Sequence, residues 1–436
     1  MTQLVGAGAG VMSETAQPGQ AVDPMRARAW WKVADQILSG LSVVGLSFVV
    51  ARSVGVSHFG VFGVALLASG FVLGLSRAMV SDVFLIQFSD VVPRVRRQAA
   101  KEATGAAVLL GLVTGLLCCL AAALLPGRDL GMALFAIGLA LPGLLVQDAL
   151  RFVFIAAGRP APAFALGLSG AGAQFGVVGL LVAADHDSMF PITLGWGAVA
   201  LLTAGLGCLL ARLLPSLRQA RLWFALNRHL TVRGSLEYVL SLGALYLAYC
   251  LIGAVVGLAA IGSLWAAQMF LVPAYVAITA TGSLLASRFD TWVQQGRPLR
   301  RPALLTGLVL AVMAALWGAA ITVVPDAVGI HLTGPTWQGA RAVLEPAVVG
   351  VVMLGLASGP GLALRAAGHG TLLRQVALLQ AMLLLGLGLL GADLHGVRGA
   401  AMGLVAAHAI GALTLWALFL RESGRRRDVP VASVQP

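Results

Sequence analysis

The sequence predicts an all-α polytopic membrane protein: twelve transmembrane helices in two parallel-repeat six-helix lobes. Three observations predict it. The 436 residues are 59% hydrophobic and only 11% charged, whereas soluble domains carry about 25% charged residues. Apolar runs of membrane-spanning length recur along the whole chain, and their connecting loops alternate in basic charge. Short motifs also recur at one fixed offset of 202 residues.

The apolar runs fall near 33–51, 60–88, 104–125, 130–157, 163–184, 190–212, 236–258, 262–287, 303–324, 343–366, 373–392 and 398–420. The links between them are short, and the longest outer loop, 325–342, has about 18 residues. No large soluble domain fits. Residues 1–25 are small, polar and Gly-rich, which reads as a disordered cytoplasmic tail rather than a signal peptide. Residues 421–436 form the second tail.

Orientation follows from the basic residues. Of the 29 Lys and Arg, Arg52, Arg128, Arg341 and Arg398 fall on one set of loops, Arg77 lies within a span, and all the others lie on the opposite set. By the positive-inside rule that richer set, and with it both termini, is cytoplasmic. Arginines facing anionic lipid account for the net charge of +12, so nucleic acid is not an expected partner but membrane lipid is.

The repeat sets the domain organisation. "ADQILSGL" at 34–41 answers "LEYVLSLG" at 236–243, so Asp35, Leu38 and Ser39 match Glu237, Leu240 and Ser241. "VGVSHFG" at 54–60 answers "VGLAAIG" at 256–262, with Gly55 and Gly60 against Gly257 and Gly262. "QFSD" at 87–90 faces "SRFD" at 287–290, slightly out of register. The chain therefore divides into lobes at 26–213 and 235–420, joined by a basic cytoplasmic linker at 214–234. Both lobes start from the same side, so the repeat axis runs along the membrane normal. Within "RQARLWFALNRHL", 218–230, Leu222, Trp223, Leu226 and Leu230 share one helical face. This suits a short helix lying on the inner leaflet, although an ordinary basic loop fits the composition as well.

Several chemistries receive no support. Cys118, Cys119, Cys208 and Cys250 sit inside apolar spans and read as packed thiols, not as a disulfide framework. The seven His are scattered, without metal-ligand spacing, and His408 reads as a packed or hydrogen-bonded side chain. Neither Lys32 nor Lys101 belongs to a phosphate-binding loop. No metal or cofactor is indicated, and the chain reads as a transporter rather than an enzyme.

Residues 34–82, "ADQILSGLSVVGLSFVVARSVGVSHFGVFGVALLASGFVLGLSRAMVSD", resemble the amino-terminal signature of bacterial polysaccharide-biosynthesis membrane proteins. Those are lipid-linked oligosaccharide flippases of the multidrug/oligosaccharidyl-lipid/polysaccharide exporter superfamily. The ARS-x-G-x-x-x-FG-x-F element, Ala51 to Phe62, carries most of the resemblance. It implies twelve helices in two lobes around a cavity that opens alternately to each side of the inner (plasma) membrane. It implies a glycan on a polyprenyl pyrophosphate carrier as cargo, with a coupling ion and glycan-assembly proteins as further partners. An ion-coupled exporter of amphiphilic small molecules fits the same fold. A membrane-embedded glycan polymerase or ligase fits less well, because such chemistry calls for a larger outer loop. The loop after the second span, "FSDVVPRVRRQAAKEA", does not match the major facilitator pattern.

Two groups of polar residues are candidate sites. Ionisable groups at membrane depth cost roughly 2.5–3.5 kcal/mol each on insertion scales and need a partner or water. Arg77 lies about 25 Å down its helix from Gly60 at 1.5 Å per residue, and Asp148 lies at a similar depth in its own. Asp148 and Arg151 are three apart and share a helix face, with Gln147 beside them. The four form either an ion-pair staple between helices or the wall of a wet substrate cavity. An arginine fork suits pyrophosphate through paired hydrogen bonds. Asp35 and Glu237 begin the first helix of each lobe, where an acid favours the positive helix end. With Gln36 and Tyr238 they could alternatively form an inner gate that pairs with arginine when the cleft closes. Pro142, Pro273 and Pro360 are expected to kink their helices, most sharply at the "GPG" of 359–361.

Overall fold

The computed structural model describes residues 24–125, 128–184 and 189–425. The expected tails at 1–23 and 426–436 lie outside the described residues, as do the side chains of Asp35, Gln36 and Ser39.

Every regular element among the described residues is a helix. Helix α1 (Pro24–Ser53) is followed by α2 (Val56–Ser76), which passes through a π-helical turn at Arg77–Ser81 into α3 (Asp82–Phe88) as one span. Next come α4 (Pro93–Leu124), α5 (Arg128–Ala156), α6 (Pro160–Ala183) and α7 (Met189–Ala211). The short α8 (Leu217–Leu226) leads to α9 (Arg228–Tyr238), which continues through a second π turn at Val239–Gly243 into α10 (Ala244–Val256). The remainder is α11 (Leu258–Gln294), α12 (Arg300–Thr322), α13 (Asp326–Thr333), α14 (Trp337–Ala366) and α15 (Gly370–Arg425). The backbone of α15 leaves helical geometry at His395 and Gly396, so it is two antiparallel limbs. Counting α2–α3 and α9–α10 as single spans and α15 as two, and leaving out the short α8 and α13, gives the twelve expected passes among the described residues.

Large apolar side chains on the outside of this bundle face lipid, as Leu112, Leu116, Leu117 and Leu120 do along α4. Small residues let helices approach within each lobe. Gly115 of α4 lies against the Gly138 carbonyl of α5, and Gly355 of α14 against Leu310 and Ala311 of α12. Such small-residue contacts are how helices pack where lipid removes the hydrophobic drive.

The repeat is visible where the lobes meet. A side chain at Gly60 would collide with the Leu258 carbonyl, and one at Gly262 would collide with the Val56 carbonyl. These are reciprocal contacts at the same offset of 202 found in the sequence, as a two-fold axis between α2 and α11 requires. The outer glycine pair differs. Gly257 adopts φ 109°, a conformation that favours glycine, whereas Gly55 has φ −70° and needs none. Deeper along the same junction, Trp265 of α11 donates to Ser47 of α1 at 3.4 Å. The Phe48 and Phe270 rings meet edge to face with centroids 5.3 Å apart.

Three local expectations are corrected. The stretch 325–342 is not a plain loop: it folds into α13, one 3-10 turn and the start of α14. Eight residues are too few for a periodicity to stand out. Pro142, Pro273 and Pro360 lie inside continuous helices, so the "GPG" at 359–361 does not break its helix; the turn at His395–Gly396 is the link expected between the last two spans. Neighbouring helices compensate an in-span proline, whereas Gly396 reverses the chain with φ 61°. The linker helix α8 forms, but Trp223 is fully buried rather than turned to lipid. Its ring packs beside Phe84 and Phe88, and its Nε1 donates to the Met79 carbonyl at 3.2 Å.

Candidate functional site

The structure brings Arg77, Asp148, Arg151 and Gln147 together inside the amino-terminal lobe. Arg77 stands where α2 enters its π turn. The Asp82 N–H closes that turn onto the Arg77 carbonyl, and the extra residue per turn shifts the helix face at this point. The Arg77 Nε donates to both Asp148 oxygens at 3.1 and 3.0 Å, and Nη2 donates to Oδ1 at 2.7 Å. The Arg151 Nη1 lies 4.0 Å from the same Oδ1, one turn further along α5. The Asp148 side chain is 5% exposed and that of Arg151 9%, while Arg77 keeps 35%. Arg77 also lies over the Phe152 ring, 5.9 Å from its centroid.

Sequence explains why α6 can pass so close. A Cβ on Gly167 would sit 3.6 Å from the Arg151 guanidinium, and one on Gly170 would sit 2.6 Å from the Gln147 amide nitrogen. The four polar side chains border a cavity of about 120 Å³ that also takes in Ser42 of α1, Gln174 of α6 and Trp196 of α7. At about 30 Å³ per water, that volume suits a few waters and not a sugar chain. Asp148 thus holds Arg77 closely, with Arg151 as a second, longer-range neighbour. An arginine fork held by a carboxylate is chemically able to exchange that partner for another anion.

The second candidate group is placed differently. Glu237 accepts from Arg365 of α14 at 3.2 Å, an exposed pair that lies within the carboxy-terminal lobe. Among the described side chains of this group, Tyr238 crosses between lobes. Its hydroxyl donates to the Gly70 carbonyl at 3.2 Å, its ring lies 6.0 Å from that of Phe71, and it leaves no room for a side chain at Gly74. Nearby, Gly234 packs on the Ala78 carbonyl. Asp35 and Gln36 belong to α1, and their side chains lie outside the described residues.

Sequence reasoning missed a third set. Tyr249, Gln268, Tyr275 and His408 border a small cavity in the carboxy-terminal lobe, between α10, α11, α14 and the second limb of α15. Gln268 donates to the Tyr249 hydroxyl at 2.6 Å, and His408 Nδ1 lies 2.7 Å from the Leu404 carbonyl. The helices are the repeat counterparts of those around Asp148. The offset pointed there: Ser47 and Tyr249 are equivalent, and both are polar groups in apolar spans. The two π turns also left no periodic signal. Two buried hydroxyls, Ser76 and Ser81, flank the first one without a hydrogen-bond partner.

No protein-family model matches the sequence, and no curated protein matches it. Solved structures do. An inward-facing multidrug resistance MATE family transporter of the MOP superfamily matches with a TM-score of 0.62 and 14% identity, over 93% of this chain and 98% of that one. The lipid II flippase MurJ, in an inward closed conformation, matches with a TM-score of 0.66 and 13% identity, over 90% of each chain. A MOP superfamily transporter from Pyrococcus furiosus Vc1 (DSM3638), described as having a binding pocket of reverse polarity, matches with a TM-score of 0.57 and 14% identity, over 93% and 97%. The fold is thus that of the MOP superfamily transporters.

Proposed function

We propose that the chain is a flippase that moves a polyprenyl-pyrophosphate-linked oligosaccharide, or a polysaccharide precursor, across the bacterial inner membrane by alternating access. The observation that carries this reading is the Arg77–Asp148–Arg151 cluster beside a cavity among the spans. Asp148 neutralises Arg77 when no cargo is bound. A pyrophosphate takes that role when cargo is loaded, so Arg77 keeps an anionic partner in either state. Lobe separation is required first, because the cavity is too small for a glycan. The basic side of the bundle is the cytoplasmic one, where the cargo is loaded. No covalent step is required of the protein. Solved structures with this fold include transporters and a flippase, and an ion gradient or the membrane potential supplies the driving force.

The neutral, aromatic cavity around Tyr249 and Tyr275 favours a second reading, an exporter of amphiphilic small molecules. Vesicle reconstitution separates the two. A fluorescent polyprenyl-pyrophosphate saccharide should become accessible to an impermeant quencher in vesicles that hold the protein, and Arg77→Gln should abolish this. Transport of cationic dyes without movement of the pyrophosphate lipid would replace the first reading with the second.

A further inference from the structure

A second basic site lies outside the cavity, on the surface of the bundle. We propose that the groove between α8, α9 and the start of α15 binds the phosphate headgroup of an anionic phospholipid on the basic side of the membrane. The groove has a volume of about 530 Å³ and is bordered by Arg228, His229 and Arg233 of α9 and by Arg374 of α15. Among the described residues, no carboxylate borders it. Arg233 reaches across to α15: its Nη2 lies 3.7 Å from a Cβ placed on Gly370, one helical turn before Arg374. Two like charges from separate helices thus border one groove. The nearest acid along the helix, Glu237, is held by Arg365.

The rest of the groove fits a lipid rather than a free anion. Its remaining walls include Leu226, Val232 and Leu236, each at least half exposed. Val239 and Leu242 continue this exposed row up the span. An acyl chain can follow the row while the phosphate sits among the arginines, whose aliphatic stems lie along apolar surface. The site shares no bordering residue with the Asp148 cavity, so it does not depend on the cargo proposed above. It does touch the junction between lobes. Thr231 of α9 donates to the same Met79 carbonyl as Trp223, at 3.4 Å. A headgroup that ties α9 to α15 therefore steadies a helix that is also bonded to the opposite lobe.

The test compares lipids on the purified full-length protein. Phosphatidylglycerol should remain bound through delipidation, detected by native mass spectrometry, and should raise the melting temperature. Phosphatidylcholine should do neither. Arg228→Gln, Arg233→Gln and Arg374→Gln should each weaken phosphatidylglycerol retention about fivefold, the factor for one basic side chain at an anionic surface. A control carrying Arg218→Gln, Arg297→Gln and Arg301→Gln removes the same charge as the three together and should retain the lipid. Arg374→Gln alone suffices if the triple variant does not fold. Equal loss in the control would overturn the site in favour of diffuse attraction. Equal stabilisation by inorganic phosphate would overturn the assignment to a lipid.

Discussion

Removing Asp148 should harm the protein more than removing Arg77, and removing both should harm it less than removing Asp148 alone. The order follows from what each change takes away. In the wild type, Asp148 sits between Arg77 at 2.7 Å and Arg151 at 4.0 Å. Arg77→Ala leaves Asp148 its contact with Arg151. Asp148→Ala takes a carboxylate from both arginines, and the Arg151 side chain is 9% exposed. A carboxylate and a guanidinium about 4 Å apart attract by roughly 4 kcal/mol at an effective dielectric near 20. Stranding a buried charge costs about 3–5 kcal/mol in measured cases. Arg77 keeps a third of its side chain exposed, which discounts its share. Asp148→Ala should therefore cost about 3 kcal/mol, Arg77→Ala about 1 kcal/mol, and the double variant a value between them. Thermal melting of the detergent-solubilised variants, followed by tryptophan fluorescence, gives the ranking. If Arg77→Ala adds its full cost on top of Asp148→Ala, the two do not interact and the charge-exchange mechanism fails with them.

Four further outcomes can be checked. In a protein without native cysteines, Ala225→Cys should label from the cytoplasm and Val328→Cys from outside; the reverse would invert the proposed orientation. Gly60→Ala should lower the melting temperature sharply, because its Cβ meets the Leu258 carbonyl, whereas Gly386→Ala meets nothing and should be neutral. Glu237→Gln breaks an exposed pair and should cost under about 1 kcal/mol with transport retained. Tyr238→Phe, by losing the lobe-crossing bond, should shift cysteine accessibility along α2, and unchanged accessibility would remove Tyr238 from the gate.

The membrane architecture was legible because it rests on quantities summed over many residues. An apolar run of twenty residues and the arginines at its ends survive any local irregularity. The contact of Arg77 with Asp148 was legible for another reason: a charge at depth has few acceptable neighbours, and helix counting leaves one. What failed was local. Trp223 looked like a lipid-facing residue because its helical face is apolar, but the sequence does not say that Phe84, Phe88 and the Met79 carbonyl await it. Glu237 matched Asp35 by repeat, yet its partner Arg365 lies on a helix that no repeat motif marks. The π turns were invisible because one added residue leaves hydrophobicity unchanged while rotating everything that follows.

Those π turns join the local and global features of the molecule. A π turn supplies a carbonyl that the α-helical ladder does not use in the ordinary way. In the first one, Met79 offers its carbonyl to both Trp223 and Thr231. The same turn begins at Arg77, whose side chain holds Asp148. The second turn begins just after Tyr238, which holds Gly70 on α2. Arg77 with its carboxylate, the linker helices and the lobe-crossing tyrosine therefore all meet the same span between Gly70 and Met79. One stretch of α2 and its π turn thus carries both the buried ion pair and the contacts between lobes.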